Sequence, residues 1–495
     1  MIALLLLLSV ALEWVLYTGR FMWRGRRIWV ALPIMLTAFG AAGILYEYGT
    51  VLAFVVVLIA SFRLFNQLRI AQGRMHQSYL LHSTRRTGLV LGFLQVATVL
   101  LLSTVPATFR DVLGPLAAVQ LVGAAGVLLL TIRNLIKSRH VPRSSHTADR
   151  DMPTVTVAIP ARNETADLEA CLKSVVASDY PKLEILVLDD CSQDKTADVI
   201  KSFAQDGVRF IKGSPPEDRW LAKNQAYDRL ASEANGEFIL FCGVDVRLGP
   251  HTIKALVATA QERKKDMVSV LPRRMDSNPL VAFVQPMRYW WELALPRRYV
   301  NRPPVLSTCW VIRRKALQKL GGFGAVSHAI IPEGYFARAL LKTDGYSFVR
   351  ADDELDVQTR KSPNDQQDTA IRMHYPQIRR RPEVAFALTC IQIFLVHGPF
   401  VVVLSGIAWG FGATQALAAA ACVLLVATHV LIVYVSNPGN VPIALVNFPV
   451  AAAMELAYGL ISMYRYEFSV IDWKGRNICI PVMHVYPKLP PLDQK

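Results

Sequence analysis

The sequence is poor in cysteine, and what it has is not arranged for metal or cross-linking. Its seven cysteines (Cys171, Cys191, Cys242, Cys309, Cys390, Cys422 and Cys479) form no C-x-x-C pair and no His–Cys cluster. This argues against structural zinc and fits a reduced compartment. Internal repeats and low-complexity segments are also missing, which sets aside repeat architectures. No basic residue precedes the first apolar run, residues 1–18. Arg20, Arg24, Arg26 and Arg27 follow it instead. A cleaved signal peptide carries its charge on the other side, so the run reads as a retained helix with its N-terminus outside. Acids are scarce as well: 38 Asp and Glu against 54 Lys and Arg leave a net charge of +16. The cations cluster beside apolar spans. That pattern suits cytoplasmic loops and anionic headgroups, and it argues against nucleic acid as the partner.

Apolar residues make up 53% of the chain and gather at its two ends, with a mixed-polarity block between them. The pattern is that of a soluble domain inserted between membrane segments. Residues 1–137 read as an N-terminal membrane region of about five helices, with spans near 1–18, 28–46, 49–65, 88–106 and 114–132. The loops at 63–86 and 133–150 are basic and the intervening turns are not, which places residue 150 in the cytoplasm. Residues 138–152 read as a polar linker. Residues 384–463 form a C-terminal membrane region of two to four helices. Its first stretch is interrupted at "HGP" (397–399) and is compatible with a hairpin or re-entrant segment. The tail, 464–495, carries Arg465, Lys474 and Arg476 and is expected on the cytoplasmic side.

Between these regions, residues 153–383 alternate apolar strands with helical patterns. "TVTVAIP", "LEILVLDD", "VRFIKG" and "EFILFCGVD" read as strands; "ADLEACLKSVVAS" and "TADVIKSFAQD" have helical period. Such alternation means an α/β domain with a mostly parallel, Rossmann-like sheet, whose ligands bind beyond the carboxyl ends of the strands. Asp189, Asp190 and Asp245 fall at such ends. Within the block, residues 279–300 mix Trp290, Trp291, Arg297 and Arg298 and suit a membrane-interface segment.

"AIPARNE" (158–164) followed by "VLDDCSQDKT" (187–196) resembles the start of a family 2 glycosyltransferase domain, the inverting type on a GT-A fold. The likeness covers roughly residues 153–380. "WKGR" (473–476) is similar to the tail of ceramide-glucosyltransferase-like and carotenoid-type membrane glycosyltransferases. The resemblance implies that Pro160, Arg162, Asn163, Glu164 and Asp189 or Asp190 bind a nucleotide sugar, with Lys223 near its diphosphate. "FCGVDV" falls where the family has D-x-D, and Gly243 stands in the first acid's place. Asp245 is then the acid that touches a divalent cation, Mn²⁺ or Mg²⁺, which takes most of its ligands from phosphate and water. In "HAIIPEGYFARALL" (328–341), Glu333 occupies the place of the base that deprotonates the acceptor. "YPQIRRRP" (375–382) sets Gln377, Arg380 and Arg381 where related synthases have Q-x-x-R-W, on the diphosphate and acceptor side.

The expected activity is inverting transfer from a nucleotide sugar, a UDP-sugar by resemblance, to a lipid acceptor at the bilayer. The alternatives are a processive polysaccharide synthase, against which the missing Trp of Q-x-x-R-W speaks, and a degenerate, non-catalytic membrane scaffold, for which Gly243 and Pro332 speak.

Overall fold

Runs of 17 to 29 largely apolar residues become the helices that open the chain: α1 (Ile2–Thr18), α2 (Ile28–Glu47), α3 (Val51–Ala71), α4 (Ser78–Thr104) and α5 (Phe109–Lys137). The computed structural model describes residues 2–18, 28–47, 51–71, 78–104, 109–139, 151–217, 220–275, 287, 289–295, 303–468 and 470–479. Residues 20–27 with their arginines, most of the 138–152 linker, Arg297 and Arg298, and the tail beyond 479 lie outside the described residues. The chain forms two units. One holds residues 1–125, 374–425 and 456–470; the other holds 126–373, 426–455 and 471–495.

In the helical unit, α1 packs on α2 and α4, and α3 packs on the same two helices. Leu6, Ile44, Val56, Val99 and Leu102 meet in the middle. A Cβ on Gly40 would lie 2.7 Å from Leu6 Cγ, so α1 and α2 approach this closely only because that position is bare. Polar groups are buried here too. Arg63 donates to Glu13 Oε2 from Nε (3.1 Å) and from a terminal nitrogen (2.7 Å) and to Ser9 Oγ (3.0 Å). Gln67 donates to the same Glu13 oxygen at 2.8 Å and to Thr37 Oγ1 at 3.1 Å.

In the α/β unit, β1 (Val155–Ala161), α6 (Thr165–Val176), β2 (Leu183–Asp189), α7 (Thr196–Ser202), β3 (Val208–Lys212), α8 (Ala222–Glu233) and β4 (Phe238–Cys242) follow the sequence pattern closely. They continue through β5 (Val246–Leu248), α9 (Thr252–Glu262), β6 (Met267–Leu271), β7 (Arg273–Arg274), α10 (Trp290–Leu293), β8 (Cys309–Arg313), α11 (Arg314–Lys319), α12 (Pro332–Leu341), β9 (Tyr346–Arg350), β10 (Val357–Thr359) and α13 (Pro363–Gln377). Seven strands form the main sheet in the order β3-β2-β1-β4-β8-β6-β9. All neighbours are parallel except β8, which runs against β4 and β6. β1 and β4 are apolar on both faces because helices cover both sides, as a buried parallel sheet requires. A second sheet, β5-β10-β7, sits where β4 ends.

The described part of 279–300 is fastened to the α/β unit rather than standing free. Met287 N and Trp291 Nε1 each donate to Glu455 at 3.0 Å, Trp290 Nε1 meets His429 Nδ1 at 3.2 Å, and Asn134 donates to Leu293 O at 2.7 Å. The described part of the segment therefore packs on polar side chains of otherwise apolar helices.

The chain ends in α14 (Pro382–Gln392), a π turn at Ile393–His397, α15 (Gly398–Trp409), α16 (Ala413–Ser436), α17 (Val441–Glu467), and the short strands β11 (Asp472–Trp473) and β12 (Arg476–Asn477). The "HGP" interruption does not fold the first stretch into a hairpin. Residues 382–407 stay helical, and the wider π turn takes up Pro399, which has no N–H to give. Among the described residues, five helices are long and apolar enough to cross a membrane: 30–47, 113–137, 382–407, 413–436 and 438–467. Phe39, Leu129, Ile407 and Val423 on them are exposed, as lipid-facing side chains would be.

Candidate active site

β1 and β4 deliver polar residues to the same edge of the sheet, and there a cavity of about 510 Å³ opens. Its wall includes Pro160 and Glu164 after β1, Lys223 on α8, Gly243 and Asp245 after β4, Arg360 and Lys361 after β10, Arg372 on α13, and Trp473, Lys474 and Arg476 from the tail. All belong to the α/β unit.

The β1 and β2 ends lock into each other. Asn163 and Cys191 both adopt left-handed backbone (φ 50° and 55°), which turns each loop sharply away from its strand. Arg162 donates to the carbonyls of Asp190 (2.6 Å) and Cys191 (3.0 Å). Asn163 N donates to Ser192 Oγ at 3.1 Å, while its Oδ1 accepts from Gln193 N at 2.9 Å. Asp194 accepts from both the backbone and the hydroxyl of Thr165 and of Thr196. Slight burial acts to raise its pKa, and these four bonds outweigh it and hold the carboxyl at about 2. Asp189 Oδ1 accepts from Ser192 N at 3.2 Å, inside its own turn.

This locking divides the residues that the sequence singled out. Pro160, Glu164, Lys223 and Asp245 line the cavity; Arg162, Asn163, Asp189 and Asp190 do not. The last four brace the loops behind the wall. Asp190 pairs at 2.7 Å with Arg476, and Glu164 pairs at 3.0 Å with Lys474. Burial raises the pKa of both acids, against the pull of these cations. The tail residues were visible in the sequence only as a family-like "WKGR"; nothing in their spacing said that they reach β1 and β2.

Asp245 is held from the small sheet. β10 pairs with β5 so that Thr359 stands opposite Val246, next to Asp245. Thr359 Oγ1 donates to Asp245 Oδ2 at 2.9 Å, and Lys361 Nζ lies 3.5 Å from the same oxygen. Burial acts to raise the Asp245 pKa, and Lys361 and Thr359 outweigh it, so the carboxylate titrates below its usual range. Sequence reasoning missed Lys361, whose one signal is its position two residues beyond a strand. Gly243 is more than a lost acid. A Cβ there would lie 2.5 Å from Asp245 Oδ1, so the carboxylate leans over the place a first acid would fill. Among the described residues no group of three or more His, Cys, Asp or Glu could cage a metal. A lone carboxylate still fits a hard cation that brings phosphate oxygens as its other ligands.

Lys223 sits above the Tyr227 ring at 5.2 Å. Burial lowers its pKa, and the nearby Glu333 opposes this. Glu333, at the start of α12, is itself completely buried and is not among the residues that line the cavity. Gln377, Arg380 and Arg381 all fall in the helical unit's share of the chain and do not line the cavity. There Arg380 lies 5.1 Å from the Tyr466 ring, and Arg381 pairs with Glu383 at 2.8 Å.

Glu164, Lys223 and Asp245 of this cavity lie in one stretch of chain. Residues 156–321 match the model of glycosyl transferase family 2. The family 2 segment covers β1 through α11 and so holds Pro160, Glu164, Lys223 and Asp245. The chain is 32% identical over 114 residues to the GalNAc(5)-diNAcBac-PP-undecaprenol beta-1,3-glucosyltransferase of Campylobacter jejuni, covering 22% of this chain and 36% of that one. It is 27% identical over 151 residues to the 4,4'-diaponeurosporenoate glycosyltransferase of Staphylococcus aureus, covering 30% and 38%. A solved structure of the mannosyltransferase PcManGT from Pyrobaculum calidifontis, in complex with GDP-Man and Mn²⁺, superposes with a TM-score of 0.44 at 16% identity, over 71% of this chain and 98% of that one. The chain spans less than half the length of the curated relatives it matches.

Proposed function

We propose that the protein is an integral-membrane, inverting glycosyltransferase that moves a sugar from a nucleotide sugar, a UDP-sugar in the first instance, to a membrane lipid. The observation that carries the reading is the cavity itself: it opens at strand ends within the segment that matches family 2, in a chain whose described residues include five helices apolar and long enough to cross a membrane. The lipid acceptor is supported by those helices and by relatives whose names specify an undecaprenol-linked and a carotenoid-type acceptor. The positive charge of the loops beside the first helices supports a cytoplasmic catalytic domain in the cell membrane.

In this mechanism the nucleotide sugar lies along the cavity with its diphosphate toward Lys223, Lys361 and Arg372. Their charges stabilise the negative charge that grows on the leaving group. Asp245 would hold a divalent cation, Mn²⁺ or Mg²⁺, which when bound adds further neutralisation of the diphosphate. Glu333 is proposed to take the proton of the acceptor hydroxyl. The acceptor oxygen forms its bond to the anomeric carbon from the side opposite the diphosphate. The bond to the phosphate oxygen breaks, and the nucleoside diphosphate leaves with the electron pair. One displacement inverts the centre, so no carboxylate has to act as nucleophile. Gln377, Arg380 and Arg381 are proposed for the acceptor side, where the chain turns from α13 toward the membrane helices.

The test is a radiolabel partition. Membranes containing the protein are given labelled UDP- and GDP-sugars with Mn²⁺ or Mg²⁺ and extracted with organic solvent. Label in the organic phase is the expected result. Label in an insoluble, high-mass product would replace this reading with the polysaccharide synthase. Absence of transfer with every donor would favour the scaffold.

A further inference from the structure

Resting on the glycosyl-transfer reading above, we infer that Asn224 is a positioning residue that ties the acceptor side of the cavity to its donor side, so that the donor sugar meets the acceptor and not water. Asn224 follows Lys223 in the first turn of α8 and is 1% exposed. Its side-chain nitrogen donates to three backbone carbonyls, those of Val326 (2.8 Å), Ser327 (3.0 Å) and Ala329 (2.8 Å). The Leu221 N–H, three residues earlier, donates to the Ser327 carbonyl as well, at 2.9 Å. Carbonyls only accept, so the amide meets them with its NH₂ group.

The held segment is a connector. It runs from the turn at Phe323–Val326 to α12, and residues 327–331 belong to no strand or helix. Its carbonyls therefore need partners from elsewhere in the chain. Ala329 and Ile330, in the middle of it, line the cavity, and Glu333 follows in the first turn of α12. On the other side of the tie, Trp220, Leu221, Ala222 and Lys223 line the cavity at the start of α8. One buried amide thus joins the lysine proposed for the diphosphate to the stretch of wall that leads to the proposed base. The family 2 match ends at residue 321, so Asn224 lies within it and the segment that it holds lies beyond it. The residue type matters. Aspartate would turn acceptors toward three acceptors, and serine would bring a single donor. Glutamine would carry the same amide on an arm one methylene longer.

The experiment follows one labelled donor into two products. Membranes carrying the wild type, Asn224→Ala or Asn224→Gln receive the labelled UDP- or GDP-sugar that the wild type uses, with Mn²⁺ or Mg²⁺. Label in the organic extract measures transfer, and free labelled sugar in the aqueous phase measures hydrolysis. Binding of the matching nucleoside diphosphate is measured by calorimetry on the full chain in detergent. Asn224→Ala is expected to lower transfer by about 10–100-fold, the cost of misplacing reacting groups by about an ångström. Nucleoside diphosphate affinity is expected to stay within about threefold, while the ratio of hydrolysis to transfer rises. Asn224→Gln, which keeps the donors, is expected to recover part of the transfer, with a ratio between those of the wild type and Asn224→Ala. Where Asn224→Ala yields no folded protein, a ratio above that of the wild type in Asn224→Gln carries the same meaning. The ratio decides, because a variant that merely folds poorly loses both products in proportion. An unchanged ratio would overturn the inference and leave Asn224 a packing residue. A fall in nucleoside diphosphate affinity as large as the fall in transfer would also overturn it, and would make Asn224 a donor-site residue. Absence of transfer by the wild type with every donor would overturn the glycosyl-transfer reading itself, and this inference with it.

Discussion

The two units of this chain use buried charge in opposite ways. In the helical unit, Arg63 and Glu13 are sealed: their side chains are 0% and 3% exposed, and Ser9, Gln67 and Thr37 complete the hydrogen bonding. In the α/β unit, the pairs Arg476–Asp190, Lys474–Glu164 and Lys361–Asp245 each keep one or both partners partly open, with cation exposures of 19%, 29% and 29%. A closed pair has nothing left to offer a ligand, so its work is confined to joining the helices that carry it. An open pair holds a cation at a chosen place and leaves some of its donors for whatever enters the cavity. The same chemistry is thus structural in one region and receptive in the other, and exposure, not charge, separates them.

Glu333 is the residue that would break this distinction. It is as buried as Glu13, yet it lies in the unit with the cavity, close enough to Lys223 to alter its titration. If the base assignment holds, Glu333→Gln keeps the fold and nucleoside diphosphate binding but slows turnover by about 10²–10⁴-fold. Steady-state kinetics beside a melting curve decide the matter. A large fall in melting temperature with turnover preserved in the surviving protein would move Glu333 into the same class as Glu13.

The sealed pair predicts the next largest effect. Arg63→Met leaves the Glu13 carboxylate buried without its guanidinium and is expected to destabilise the helical unit by about 3–5 kcal/mol. Replacing both partners, as Arg63→Met with Glu13→Leu, is expected to recover most of that loss, because no uncompensated charge remains. Thermal unfolding in detergent reads both. Nucleotide binding at temperatures where the single variant is folded is expected to be unchanged.

The Asp245 site sharpens the comparison on the receptive side. Restoring the first acid looks like a repair, but the geometry says otherwise. Any side chain at 243 places its Cβ 2.5 Å from Asp245 Oδ1 and pushes that carboxylate off Thr359 and Lys361. Gly243→Asp is therefore expected to weaken divalent stimulation of transfer, and Asp245→Ala to abolish it. A Mn²⁺ titration of the partition assay measures both. Stronger stimulation in Gly243→Asp would mean that the carboxylate leans over position 243 only when no ligand is bound.

Much of the architecture could be read before any coordinates. Apolar runs bounded by turn residues gave the strands from Val155 to Cys242 nearly to the residue, because a sheet buried on both faces admits little else. Pro160, Glu164 and Asp245 were expected at strand ends and Lys223 only by family resemblance, and all four line the cavity. What stayed hidden is non-local. The pairing of β10 with β5 brings Lys361 to Asp245 across 116 residues of chain, and the β11–β12 hairpin brings Arg476 to Asp190 across 286. No periodicity records such a meeting. The "HGP" break misled for a related reason: a proline inside an apolar run reads as a stop, yet a helix can absorb it by widening one turn.

The smallest effect tests whether the β1–β2 brace behaves as scaffold. Asp194 does not line the cavity and bonds to Thr165 and Thr196. Its folded pKa of about 2 lies below the ordinary aspartate value of about 3.9. A carboxyl whose pKa falls on folding contributes stability that is complete above the unfolded value and is lost as the pH drops through the folded one. The wild-type melting temperature should therefore fall between about pH 4 and pH 2 partly through Asp194, and Asp194→Asn should flatten that part of the curve. The side chain is largely solvated, so the change should amount to a small shift, seen best as a difference in slope. If Asp194→Asn instead leaves the acid slope unaltered and weakens UDP binding, the residue belongs with the open pairs of the cavity and not with the brace behind it.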